Sequence, residues 1–419
     1  MKDLHATLDL VFTTVREKAP GAERHRDLMT LPDEILSYII NLACEDAWEQ
    51  GDWLLGRNAM DRLVVNLSLV SRRFRNAVVN TASLWACIDN RYCLGTGFNE
   101  RIARSKGLPL TLFIDFPKDD GERQKILSQI MPIKDRWQHF RGYTMDSITA
   151  KELPVAEFSK VESLDLSFTG REQLDSSDSL FTKWAFPNTT LLRITNATPP
   201  PGLFPKVITC IFSYYAVEEL MLGVGGFPHG GLLQMLVSMP QLKHLSVYFI
   251  GWSVSSPIAL VPVTLPSVST VTLGHKTFIS PSRGSVSHLR WILESLILPN
   301  VKDLHLHLNF AEADQVLSWV RLITPASERL RQVTSLTIEG HSHLSHNVIY
   351  PLIVLFRNIR TLELKAYNIP KTLRGLEQNL ELDQLRVFVP REPYTSKPVH
   401  IERGDLDMLT RYPDDVRIA

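Results

Sequence analysis

From residue 161 to residue 387 the apolar positions keep returning in one order: apolar, two variable, apolar, one variable, apolar. The copies are Val161-Glu-Ser-Leu164-Asp-Leu166, Val217-Glu-Glu-Leu220-Met-Leu222, Leu242-Lys-His-Leu245-Ser-Val247, Val268-Ser-Thr-Val271-Thr-Leu273 and Val301-Lys-Asp-Leu304-His-Leu306. Val333-Thr-Ser-Leu336-Thr-Ile338, Ile359-Arg-Thr-Leu362-Glu-Leu364 and Leu382-Asp-Gln-Leu385-Arg-Val387 follow. A weaker copy at Leu192 and Ile194 has Thr189 in the first apolar place, and Trp137 with Phe140 marks a decayed one upstream. Alternate side chains of an extended strand face opposite ways, so Leu304 and Leu306 point to one side and His305 and His307 to the other. A short strand with a single apolar face is not stable alone; each unit must stack on its neighbours and on a returning helix or loop. The pattern predicts a mixed α/β solenoid of parallel strands whose variable positions line a concave face.

The central positions 164, 192, 220, 245, 271, 304, 336, 362 and 385 lie 23 to 33 residues apart, the spacing of leucine-rich repeats and their irregular relatives. The positions predicted to line the groove are Asp165, Arg193, Met221, Tyr248, His305, His307, Glu339, Glu363, Lys365, Arg386 and Phe388. Of these Tyr248, His305, His307, Glu339, Glu363, Lys365, Arg386 and Phe388 are the candidate substrate-binding residues, with the two aromatics as anchors. After Pro390, Pro393, Pro398 and Pro413 interrupt a charged stretch and predict an irregular tail or cap over 391–419.

The first third is patterned differently. Leu4, Leu8, Val11, Phe12 and Val15 have helical spacing, and Pro20-Gly21 breaks it, so 1–29 reads as an amphipathic helix and linker. Thr30-Leu31-Pro32-Asp33-Glu34 starts a helix, with a capping hydroxyl, a proline in the first turn and acids near the positive end of the dipole. Ile35, Leu36, Ile39, Ile40 and Ala43 give it one apolar stripe. A connection holding Trp48, Gly51, Trp53 and Gly56 follows, then Leu63, Val64, Leu67 and a further stripe of Val70, Phe74, Ala77 and Val78, closed by Leu84-Trp85. These elements predict a three-helix unit over 30–88, a connecting segment over 89–130, and the repeats over 131–390.

In order and identity, Leu31-Pro32-Asp33-Glu34-Ile35-Leu36, then Leu69-Val70-Ser71-Arg72-Arg73-Phe74-Arg75-Asn76-Ala77, then Leu84-Trp85, resembles the F-box motif. The connection through Trp48 and Trp53 is longer than that family's usual pattern. Arg101-Ile-Ala-Arg-Ser105-Lys-Gly107-Leu-Pro109-Leu110 is similar to the segment that follows the F-box in many fungal F-box proteins, reading as a helix end, a glycine stop and a strand. The resemblance implies a helical unit that docks on a Skp-family adaptor of a cullin and RING ubiquitin ligase. It assigns adaptor contacts to Leu31, Pro32, Ile35, Leu36, Val70 and Phe74, some of which would double as core. The repeats would then hold a protein substrate. A second reading keeps the solenoid as an interaction scaffold and makes the helices a cap on its first repeat.

Composition narrows the partner. Lys plus Arg and Asp plus Glu are 45 each, a formal charge of zero, which argues against a nucleic-acid groove or an anionic membrane as main ligand. Cys44, Cys87, Cys93 and Cys210 form no Cys-x-x-Cys and no disulfide spacing, and with no secretory signal they indicate an intracellular protein, cytoplasmic or nuclear. No apolar run is long enough to span a bilayer. Gly223-Val-Gly225-Gly226-Phe227-Pro228 places proline where a dinucleotide fingerprint needs its third glycine. His341, His343 and His346 have no cysteine or carboxylate close by to complete a metal site. With no Gly-x-Ser-x-Gly or His-Glu-x-x-His, the chain is expected to bind rather than catalyse, without metal or cofactor.

Overall fold

A computed structural model describes residues 31–49, 62, 64–145, 153–168, 180–215, 229–250, 262–276, 293–309, 328–340, 355–356, 358–365 and 384–388. The chain divides into two compact units, Met1–Arg141 and Gly142–Ala419. No described helix is long and apolar enough to cross a membrane.

The first unit opens with helix α1 (Asp33–Glu49), a helical stretch over 64–70 and helix α2 (Arg72–Asn80). Ser71 caps α2, its hydroxyl accepting from the Phe74 amide at 3.2 Å, the use a serine has at a helix start. The two ends of this helical stretch are tied together. Arg73 Nε donates to Asp33 Oδ1 at 2.8 Å and its Nη2 donates to the Leu31 carbonyl, so the third helix fixes where the first begins. Leu31, Leu36, Ile39, Ile40, Val64, Leu67, Phe74, Ala77, Val78 and Leu84 pack into one core.

Strand β1 (Cys87–Asp89), helices α3 (Asn90–Leu94) and α4 (Phe98–Arg104) and strand β2 (Leu110–Asp115) follow, with β1 parallel to β2. The helix end, glycine stop and strand expected over 101–115 are present. Lys106 and Gly107 take positive φ of 48° and 79° between α4 and β2, the left-handed turn that glycine tolerates best. Arg101 is buried here: Nη2 donates to the Leu84 carbonyl at 3.1 Å, Nε to that of Cys87, and the guanidinium lies 4.0 Å from the Tyr92 ring centre. Helix α5 (Asp120–Ile130) and strand β3 (Trp137–Met145) complete this stretch; Trp137 and Phe140, the decayed copy, are buried and stacked at 5.0 Å.

The second unit is a ladder. Besides the two-residue strand β4 (Ala156–Glu157), it runs through β5 (Ser163–Phe168), past β6 (Trp184–Ala185), to β7 (Leu191–Thr195), β8 (Thr209–Tyr215) and β9 (His244–Ile250). Beyond β10 (Val263–Thr264) come β11 (Thr270–Lys276), β12 (Leu296–Ile297), β13 (Asp303–Asn309), β14 (Ser335–Gly340), β15 (Thr361–Lys365) and β16 (Gln384–Phe388). Strands β5, β7, β8, β9, β11, β13, β14, β15 and β16 pair in that order, every pair parallel. The register aligns Leu164, Leu192, Cys210, Leu245, Val271, Leu304, Leu336 and Leu362 in one buried row. The second apolar row, from Leu166 through Leu306 to Leu364, is equally buried. Each such side chain contributes about 1.5–3 kcal/mol once a neighbour covers it, which is why the units stand only as a stack.

One copy differs from the sequence expectation. Between β7 and β9 the ladder position belongs to Thr209–Tyr215, with Val207, Cys210 and Phe212 in the apolar places. The copy assigned to Val217, Leu220 and Leu222 is therefore not the ladder strand, and it lies outside the described residues with Met221. Cysteine and phenylalanine disguise the true copy, because packing asks only for buried apolar volume.

A turn precedes each of the first eight ladder strands and repeats more faithfully than the strand itself. Phe158, Phe186, Phe204, Met239, Leu265, Leu298, Leu330 and Phe356 are buried, and each carbonyl accepts the amide three residues on. Proline follows this residue in five turns, at 187, 205, 240, 266 and 299, the position whose φ it presets. Asn188, Asn300 and Asn358 donate to the carbonyls of Ser159, Pro266 and Arg331 in the preceding repeat at 2.6–2.7 Å, and Ser267 does so to Pro240 at 2.7 Å. The sequence carries this lock as a small polar residue just before the first apolar position, a signal the strand spelling leaves out.

Candidate binding surfaces

Within the first unit, the six adaptor-binding candidates separate by burial. Leu31, Leu36 and Phe74 lie in the core, Val70 is half-buried against it, and Pro32 and Ile35 are exposed. Three further apolar side chains are exposed on the same helices: Tyr38 at 61%, Val65 at 55% and Leu69 at 65%. Ile35 and Tyr38 are three residues apart on α1, and Val65 and Leu69 four apart on 64–70, so each pair shares one helical face. These three are visible in the sequence as apolar residues out of phase with the core stripe. Thr30, the connection with Trp53, and the side chain of Trp48 lie outside the described residues.

The second surface is the polar face of the ladder. Strand alternation sends the variable positions there, and the parallel register aligns them in rows. One row runs Asp165, Arg193, Ile211, Ser246, Thr272, His305, Thr337, Glu363 and Arg386, and the next includes Ser213, Tyr248, Gly274, His307, Glu339, Lys365 and Phe388. The register thus brings together His305, His307, Glu339, Glu363 and Lys365, with Arg386 and Phe388 beside them; the side chains of these last two lie outside the described residues.

Several of these groups pair with one another. His307 Nδ1 is 3.4 Å from Glu339 Oε2, Lys365 Nζ is 3.0 Å from Glu363 Oε1, and Arg193 Nη1 is 3.4 Å from the buried Asp165 carboxylate. The Tyr248 ring meets the His307 ring edge-on with centres 5.6 Å apart, although the backbones of β9 and β13 are separated by β11. Gly274 makes this possible. A Cβ on it would stand 2.2 Å from Tyr248 Cδ1, so Tyr248 lies across the space a side chain would fill.

Burial shifts two groups. His305 falls below the ordinary histidine value because it is desolvated and faces Lys365, against weaker opposing pulls from Asp303 and Glu363, and so it is neutral at pH 7. Tyr248 is raised by desolvation and then by the Glu339 carboxylate. Among the described side chains the face therefore presents hydrogen-bond donors, acceptors and the Tyr248 ring, partly satisfied among themselves. Among the described residues no group of His, Cys, Asp and Glu is placed to hold a metal ion. His341, His343, His346 and the 223–228 glycine run lie outside them.

Compared with known proteins, the chain matches no family model and no curated protein. Among solved structures it is similar to a Bacteroides fragilis protein determined as a structural-genomics target, at 12% identity and a TM-score of 0.35, over 72% of this chain and 79% of that one. So slight a likeness carries no argument about function.

Proposed function

We propose that this chain is the substrate-recognition subunit of a cullin and RING ubiquitin ligase, with its N-terminal helices on a Skp-family adaptor and its strand ladder on a protein substrate. The observation that carries the reading is the set of apolar side chains left in solvent on the helices whose sequence resembles the F-box: Pro32, Ile35, Tyr38, Val65 and Leu69. Solvated leucine and tyrosine at helical spacing mark a surface that gains by being covered. Leu31, Leu36 and Phe74 then serve as the core that positions this surface. The mechanism is proximity: tethering raises the effective concentration of a substrate lysine beside a conjugating enzyme that supplies the chemistry. No nucleophile is required of this chain.

The test is co-purification with the adaptor at micromolar concentration, with Ile35→Asp and Leu69→Asp as disrupting variants. Being exposed, these positions accept a carboxylate without unfolding the core, so loss of binding with unchanged circular dichroism supports docking. If the wild-type chain fails to associate, the adaptor assignment falls and the scaffold reading takes its place.

A further inference from the structure

The edge at which the ladder strands begin gathers positive charge that is scattered in the sequence. Eight described turns lead into β5, β7, β8, β9, β11, β13, β14 and β15, and successive turns are stitched side by side. The carbonyls of Glu162, Thr190, Ile208, Lys243, Ser269, Lys302 and Thr334 each accept two amides from the next repeat. In the four residues before each of these strands stand Lys160, Lys206, Lys243, Lys302, Arg331 and Arg360, all exposed, against a single carboxylate, Glu162. Asp303, a further acid among the described residues, is half-buried at the start of β13 and within reach of the Thr270 hydroxyl. Lys206 Nζ donates to Asn188 Oδ1 at 2.6 Å, across the same edge. At about 4.8 Å per strand the eight turns span roughly 34 Å.

The edge deepens at one end into a cleft of about 520 Å³ lined, among the described residues, by Arg331, Gln332, Thr334, Asn358, Ile359 and Arg360. Two guanidinium groups, two amides and a hydroxyl around one cleft suit an anionic group, and guanidinium forks match carboxylates in particular. The described turns expose no aromatic ring on which a nucleobase could stack, and a single-stranded nucleic acid would want one. We propose that this edge binds an extended acidic segment of another protein, its carboxylates facing the row of exposed lysines and arginines. The site is separate from the polar face of the ladder and stands whether or not the helices dock on an adaptor.

The experiment is fluorescence anisotropy of labelled deca-glutamate with the full-length chain at low and at high salt. Wild-type chain is expected to bind, and to bind at least about tenfold more weakly when ionic strength rises from about 0.05 M to about 0.5 M. The variant K302E/R331E/R360E should lose at least about tenfold in affinity. K160E/K206E/K243E should lose less, and K118E, an exposed lysine of the other unit, should lose nothing. Circular dichroism checks that each variant keeps its strands. Absence of wild-type binding, undiminished binding by K302E/R331E/R360E, or tighter binding of an oligothymidylate of equal charge would each overturn the proposal.

Discussion

Replacing Gly274 by alanine isolates one close approach on the polar face. Gly274 pairs with Tyr248 on one side and His307 on the other, and its φ lies outside the left-handed region, so alanine suits its backbone. In an empty environment the change would stabilise by about 0.5–1 kcal/mol, because glycine loses more freedom on folding. Here the new Cβ would lie 2.2 Å from Tyr248 Cδ1 and 3.4 Å from His307 Cβ, and the ring must swing away. That forfeits an edge-on ring contact of about 0.5–1.5 kcal/mol and drives a side chain off its preferred rotamer at a similar cost. The expected net effect of Gly274→Ala is a loss of about 1 kcal/mol, the low end for overpacking. With Tyr248→Ala in place the obstacle is gone, and Gly274→Ala should then stabilise. The assay is urea denaturation of the four members of the cycle, comparing transition midpoints, since a stacked array need not unfold in one step. A coupling of about 2 kcal/mol between the two sites is expected; an equal effect of Gly274→Ala in both backgrounds refutes the account.

Three further outcomes follow from the same geometry. His305 is held below its ordinary value, so between the unfolded and folded pKa the unfolded chain binds more protons; the stability this group supports is complete above about pH 6.5 and declines as pH falls through that window. The slope below pH 6.5 should flatten in His305→Asn and persist in a surface control. Burial pushes the Cys93 and Cys210 thiols up to about 12, so both should resist iodoacetamide in native protein and react only on unfolding, while half-buried Cys87 reacts sooner; rapid native labelling of Cys210 would contradict the packing of β8. Arg101→Ala strips a buried and a part-buried carbonyl and a ring contact of their donor and should cost about 3 kcal/mol, read as a lowered urea midpoint, whereas the neighbouring exposed Lys106→Ala should change it little.

How much was legible from the residues alone differs from element to element. The apolar spelling located eight of the nine paired strands, because a face that must be buried leaves a period in any sequence. At β8 it went to Leu220 instead of Cys210, since a good copy of the pattern stood a few residues beyond a poor one. For the helices, the stripes of Leu36, Ile39 and Ile40 and of Phe74, Ala77 and Val78 were visible as core. That Ile35 and Pro32 would face solvent while Leu31 did not was settled by Arg73, which ties down the start of α1 from forty residues away.

Local chemistry along the chain, then, was enough to set a strand's two faces, a turn's proline and a helix's glycine stop, because each depends on residues a few positions apart. Which side chains meet across strands depends on register, a property of the stack. Tyr248 over Gly274 toward His307, His305 beside Lys365, and Lys302 near Arg331 and Arg360 join residues about 25 to 60 positions apart. Tertiary structure alone decided those meetings, since hydrogen bonding between neighbouring backbones fixes them and no single segment carries that information.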